Sequence, residues 1–182
     1  MQEELIFSGF GGQGALFAGM VLAYAGMDSG KNVTWIPSYG PEMRGGTAHV
    51  TVIISDEEIG SPVIRHPSAA VALNNPSMEK YEPLVKEDGV LVYNSSLISA
   101  TPERLDIHYV PVPANDIASE LGNIRMANTA MLGALVAVTG ILPLETVSQA
   151  LREHLPESKR TMLKPNVQAL ERGAECAQTA VA

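Results

Sequence analysis

The sequence predicts an α/β fold: a three-layer sandwich around a mostly parallel, mixed β-sheet with a Rossmann-like beginning. Three observations carry that expectation. An apolar run, Leu5-Ile6-Phe7, leads into Gly9-Phe10-Gly11-Gly12-Gln13-Gly14 and then into helix-favouring residues from Ala15 to Ala25. This is the order strand, glycine turn, helix. Short apolar runs at Val71-Ala72-Leu73, Gly89–Tyr93 and Ile107–Val112 alternate with helix-like stretches, as buried strands and their connecting helices do. From Pro113 onward the chain reads as helix alone, enough to cover a sheet.

In chain order, a first strand is expected over residues 4–8 and a first helix from Gly12 to Asp28. Gly30 stops that helix, because glycine takes the left-handed cap conformation at no steric cost. A second strand follows at 32–36. Ser38-Tyr39-Gly40-Pro41-Glu42-Met43-Arg44-Gly45-Gly46 carries three glycines and a proline, which excludes helix and strand. From Thr47 to Ser55 the residues alternate, with Ala48, Val50, Val52 and Ile54 on one face and Thr47, His49, Thr51 and Ile53 on the other. That pattern predicts a strand with one face in the core. Asp56–Pro62 reads as the tip of a hairpin returning through Val63-Ile64, which would make the sheet mixed. Asn74-Asn75-Pro76 opens a short helix carrying Met78, Tyr81 and Leu84, and Pro111 marks 107–112 as an edge or a strand end. Helices are then expected at Asp116–Leu121, at Met126–Val138 (apolar throughout, hence buried), after Pro143, and from Lys164 through Ala177.

Composition narrows the function. The 182 residues carry a net charge of −8 and only 5% aromatics, which argues against a nucleic-acid surface and base-stacking platforms. Hydrophobic residues make up 46%, as in a globular chain. Cys176 is the only cysteine, so this chain alone cannot form a disulfide, a cysteine zinc site or a cysteine-ligated iron–sulfur cluster. The acidic start Met-Gln-Glu-Glu shows no secretory signal, and no apolar run approaches the roughly 18 residues of a membrane span. The expectation is a single domain over 1–182, cytoplasmic, with no nucleic-acid or membrane partner.

Chemistry concentrates at the glycine turn. Glycines let a ligand approach the main chain, and a helix N-terminus adds partial positive charge for an anion. The same glycines also serve close packing of helix on sheet. A dinucleotide site would want a carboxylate about 20 positions on, at the end of the second strand; Val33-Thr34-Trp35-Ile36 instead ends in Pro37-Ser38, so NAD is not expected. Both glycine-rich loops leave the carboxyl ends of strands, which puts them at one sheet edge. On the second loop, Arg44 could clamp a phosphate or carboxylate, or pair with Glu42 or a neighbouring subunit. His49, His66, His108 and His154 show no metal-ligand spacing, and His49 alone sits where it could matter. Ser95 and Ser96 lack the glycines of a nucleophile elbow. Asn128, polar in an apolar stretch, must cap its helix or reach toward the glycine turn. No catalytic dyad or triad is visible, and no metal set.

Gly9–Gly14, Ser38–Gly46 and Asn128-Thr129-Ala130-Met131-Leu132-Gly133-Ala134-Leu135 together resemble the gamma subunit of 2-oxoacid:ferredoxin oxidoreductases, as does the Asp56…Ile59…Pro62 turn. The resemblance runs from about residue 4 to 172. It implies a single gamma-type domain, inactive alone, in a complex with companion alpha and beta, and in some members delta, subunits. Those companions carry thiamine diphosphate and iron–sulfur clusters. The assembly converts a 2-oxoacid and coenzyme A to acyl-CoA and carbon dioxide, and reduces ferredoxin. It further implies that Gly9, Gly11, Gly12, Gln13, Gly14, Tyr39, Glu42, Arg44 and Asn128 line a coenzyme or subunit contact. Phe10 and Trp35-Ile36-Pro37 look more like the 2-oxoglutarate branch than the pyruvate branch, with a branched-chain 2-oxoacid next. The alternative is a free-standing nucleotide- or anion-binding Rossmann-like protein.

Overall fold

The computed structural model describes residues 1–38 and 47–181. Its strands are β1 (Gln2–Phe10), β2 (Asn32–Ser38), β3 (Thr47–Ser55), β4 (Ala69–Ala72), β5 (Val90–Asn94) and β6 (His108–Val112). Its helices are α1 (Ala15–Asp28), α2 (Asn75–Tyr81), α3 (Ala114–Glu120), α4 (Ala127–Thr139), α5 (Leu144–His154) and α6 (Leu163–Val181). The strands form one sheet in the order β2-β3-β1-β4-β5-β6. From β1 outward, β4, β5 and β6 pair in parallel, while β3 runs antiparallel to both β1 and β2.

One expectation is corrected here. Val63-Ile64 forms no strand, and Thr47–Ser55 does not turn back on it. Instead β3 lies between β1 and β2, pairing Phe10 with Thr47 and Ser38 with His49. A nine-residue strand gains two full ladders this way, where a two-residue return would have left most of its backbone groups unpaired. The consequence for function is direct. β1 and β2 run the same way but are not neighbours, so the adjacent parallel pair of a dinucleotide-binding βαβ unit is not formed.

The sandwich is lopsided. On one face Leu5, Phe7, Val50, Val52, Ile54 and Val71 pack under α1, α3, α4, α5 and α6. On the other, Ile6, Ala70, Ala72 and Leu91 are covered by Met78 and Tyr81 of α2 together with Val85, Ile98 and Ile107. Helix α4 is buried at every position from Ala127 to Val136, as a helix apolar all round must be. It lies between the sheet and α6, and the crossing is very close. A Cβ at Gly133 would stand 1.9 Å from the Leu170 carbonyl oxygen, and one at Gly173 would stand 1.9 Å from that of Ala130. Small residues also lay α1 flat on the sheet, where a Cβ at Gly19 would stand 2.6 Å from Val50. Gly30 (φ 72°) ends α1 as expected. Pro111 falls on the edge strand β6, where a missing N–H is tolerated.

Candidate ligand site at the glycine turn

The turn between β1 and α1 is held by its own glutamine. The Phe10 N–H donates to Gln13 Oε1 at 2.7 Å, and the Gln13 N–H donates to the Phe10 carbonyl at 3.0 Å. Gln13 Oε1 also accepts from Asn74 Nδ2 at 2.8 Å, and its Nε2 donates to the Leu73 carbonyl at 3.3 Å. Both ends of this amide are engaged by protein. Gln13 therefore fastens the turn to the end of β4. Asn74 in turn caps α2 through the Ser77 N–H at 2.9 Å, so two loops on the same sheet edge are tied together.

The glycines divide into different roles. Gly9 is buried within β1, where a Cβ would meet Gln13 Oε1 and Leu73 Cδ1 at 2.9 Å each, so its place is one of close packing. Gly11 and Gly12 are exposed at the tip. Gly12 has φ 97° with nothing within 4 Å of an added Cβ. Gly14 takes φ 83° as the N-cap of α1, and a Cβ there would stand 2.3 Å from Asn128 Nδ2. Both positive φ values require glycine. Among the described residues no hydrogen bond uses the Gly12 or Gly14 N–H.

Asn128, remote by 114 positions, lies against this turn. Its Nδ2 donates to the Gly14 carbonyl at 3.0 Å. Met126, without a side-chain bond, occupies the cap position of α4, so of the two expected roles Asn128 takes the one at the turn. Two cavities open beside it. The larger, about 340 Å³, is lined by Gly12, Gly14, Phe17 and Asn128 together with Arg125, Lys159, Met162 and Asn166. The smaller, about 120 Å³, shares Gly12 and Arg125 and continues past Gln13 to Leu73, Asn94 and Asn115. Among the described residues neither is lined by a carboxylate. In a chain of charge −8, a cavity edge carrying Arg125, Lys159 and a helix N-terminus is a local inversion of sign suited to an anion.

Arg125 and Lys159 were not visible in the sequence as site residues. Each sits in a short 3₁₀ turn, Ile124–Met126 and Glu157–Met162, and the first turn is capped by Asn123 Oδ1 accepting the Arg125 N–H at 3.0 Å. Asn123 two positions before a lone arginine was the available local signal. Nothing local could bring Lys159 to the same cavity.

Tyr39, Glu42 and Arg44 lie outside the described residues. His49 is half-buried on β3 beside the Tyr81 ring (5.7 Å between centroids). Burial, and next the Lys80 ammonium, hold its pKa below the ordinary 6.5. Tyr81 is itself pushed up to about 12 by burial. His154 is taken up by α1, with Nε2 2.9 Å from Asp28 and its ring stacked on Tyr24 at 4.1 Å. Ser96 bonds Asp116. Cys176 is half-buried in α6, and burial raises its thiol pKa.

Comparison with known proteins identifies the family. Residues 4–176 match the family described as pyruvate ferredoxin/flavodoxin oxidoreductase. The ketoisovalerate oxidoreductase subunit VorA of Methanothermobacter marburgensis is 39% identical over 94% of the chain, which spans only 36% of that relative's length. The 2-oxoglutarate synthase subunit KorC of Methanocaldococcus jannaschii is 36% identical over 98% of the chain and 95% of its own length. Among solved structures, the gamma subunit of a keto/oxoacid ferredoxin oxidoreductase from Geobacter sulfurreducens has a TM-score of 0.84 at 34% identity, covering 97% of this chain and 99% of that one. A 2-oxoglutarate:ferredoxin oxidoreductase from Magnetococcus marinus, solved with 2-oxoglutarate, coenzyme A and succinyl-CoA, shares the fold alone: TM-score 0.87, 23% identity, 98% of this chain and 31% of that chain. With nearly its whole length matched in sequence and in fold, this chain belongs to the pyruvate ferredoxin/flavodoxin oxidoreductase family, built as the gamma subunits of 2-oxoacid:ferredoxin oxidoreductases are.

Proposed function

We propose that this chain is the gamma subunit of a complex that oxidatively decarboxylates a 2-oxoacid to acyl-CoA and carbon dioxide and passes the electrons to ferredoxin. Within that complex, the glycine-turn edge holds the anionic part of coenzyme A. The observation that carries this reading is the pair of cavities meeting at Gly12 and Arg125. Coenzyme A has phosphate groups with a flat adenine on one side and a long arm that carries amide groups on the other. A cationic centre between a 340 Å³ cavity with Phe17, Met126 and Leu155 and a 120 Å³ cavity with amides matches that plan. The free turn N–H groups and Arg125 take phosphate oxygens, and Lys159 supplies a second point charge. Thiamine diphosphate and the iron–sulfur clusters, which this reading assigns to companion alpha and beta subunits, supply the decarboxylation and electron transfer. The same reading gives Tyr39, Glu42 and Arg44 a contact to the coenzyme or to a companion subunit.

The proposed oxoacid is 2-oxoglutarate, supported by the end-to-end match to KorC. Ketoisovalerate is the second reading, favoured by the higher identity to VorA. Purification of the native complex through this chain, followed by acyl-CoA formation assays with 2-oxoglutarate, ketoisovalerate and pyruvate, tests both. Companion chains should co-purify, and one oxoacid should dominate. Turnover by the pure, partner-free chain would overturn the subunit reading.

A further inference from the structure

Most side-chain amides at the two cavities have their nitrogen already engaged. Gln13 Nε2 donates to Leu73, Asn128 Nδ2 to Gly14 and Asn166 Nδ2 to Met162, while Asn123 Nδ2 lies 3.9 Å from Met162 Sδ. Asn115 differs, and its neighbour Asn94 is the cause. Asn94 is 1% exposed at the end of β5, and its Oδ1 accepts the Ser96 N–H at 3.3 Å. A backbone N–H can only donate, so this contact fixes which end of the amide is oxygen. Asn94 Nδ2 then donates to Asn115 Oδ1 at 2.9 Å. Asn115 is thereby held with its oxygen toward Asn94, and its Nδ2, which carries two protons, has no partner among the described residues. Asn115 is partly exposed and lines the 120 Å³ cavity. What it can offer a ligand there is a hydrogen-bond donor. Leu73, Ile124 and Ala127 line the same cavity, and Ile124 is exposed by 51%. A flat ring laid against Ile124 would take that apolar surface from water, and an adenine edge carries ring nitrogens that accept from such a donor. Arg125 lines both cavities, the place for a phosphate between a base and an arm.

We propose that Asn115 donates to a ring nitrogen of the adenine and so decides which half of the ligand enters which cavity. The adenine occupies the 120 Å³ cavity against Ile124, and the longer arm occupies the 340 Å³ cavity. This inference rests on the reading of the edge as a coenzyme A site.

The test titrates the full chain by calorimetry with coenzyme A and with its two halves, adenosine bisphosphate and phosphopantetheine. Asn115→Asp keeps the volume and an oxygen for Asn94, and it replaces both N–H donors by a second acceptor. Its charge repels the phosphates of both halves, so the readout is the ratio of their dissociation constants. Loss of the donor should raise that ratio, nucleotide over arm, about tenfold. Asn115→Leu removes the donor without adding charge. It should weaken the nucleotide about tenfold and leave phosphopantetheine within about twofold of the parent. A ratio unchanged in both variants, a ratio shifted toward the arm, or a parent chain that binds phosphopantetheine and not the nucleotide overturns the inference. If the parent binds the nucleotide but neither phosphopantetheine nor coenzyme A, the proposed function fails, and the nucleotide affinity of Asn115→Leu still decides this inference. If the parent binds neither half, both fall. If Asn115→Leu does not fold, the ratio in Asn115→Asp decides by itself.

Discussion

Replacing Gly14 by alanine probes the point where the turn, α1 and α4 meet, and a matched control exists two residues away. Gly12→Ala places a Cβ at φ 97° with open space around it. The strain of a left-handed non-glycine residue, about 1–2 kcal/mol, is offset by the about 0.4–1 kcal/mol that alanine gains by restricting the unfolded chain. A net loss of about 1 kcal/mol follows. Gly14→Ala carries the same terms at φ 83° and adds a Cβ 2.3 Å from Asn128 Nδ2. That amide must move, which breaks its 3.0 Å bond to the Gly14 carbonyl and leaves buried polar groups unpaired at a further cost of about 1–3 kcal/mol. Urea denaturation should therefore place Gly14→Ala about 2 kcal/mol below Gly12→Ala. Adding Asn128→Ala to Gly14→Ala should cost less than Asn128→Ala does in the parent, a coupling that a double-mutant cycle isolates. Equal destabilisation by Gly12→Ala and Gly14→Ala would refute the claim that Asn128 holds the turn.

The cationic edge should separate affinity from stability. Arg125→Ala and Lys159→Ala remove exposed side chains, so calorimetric coenzyme A binding should weaken about tenfold for the arginine, with folding stability within about 0.5 kcal/mol of the parent. Arg125→Lys should recover only part of the affinity, since a point charge does not replace a two-pronged donor. At the α4–α6 crossing, Gly133→Ala meets a backbone oxygen at 1.9 Å, which no rotamer change relieves. Denaturation should show a loss at or beyond the upper end of the roughly 1–3 kcal/mol range for overpacking. For His49, a folded pKa below 6.5 means that the unfolded chain binds the proton more readily. Stability is therefore held above that value and lost as pH falls below it, so thermal melts between about pH 7 and about pH 5 should decline less steeply for His49→Gln than for the parent.

The local pattern was sufficient to determine most elements of this protein. Strand, glycine turn and helix at residues 2–28, the parallel runs ending at Ala72, Asn94 and Val112, and the buried α4 all follow from periodicity and from glycine and proline chemistry, which act over a few residues. The glycine turn and Asn128 were legible as site candidates for the same reason: glycines at a βα turn and a polar residue in an apolar helix are both local anomalies. The tertiary structure decided what depends on distant partners. It alone set β3 between β1 and β2, because strand pairing is chosen by ladder length and by the faces that must be covered, and neither is written within one strand. It alone showed that Gly9 packs under Leu73 and that Gln13 is consumed in fastening β4. Arg125 and Lys159 are ordinary surface cations in sequence. They come to line one cavity only because α4 docks beside α1 and the turn that carries Lys159 leads into α6, a juxtaposition set by core packing rather than by any local preference.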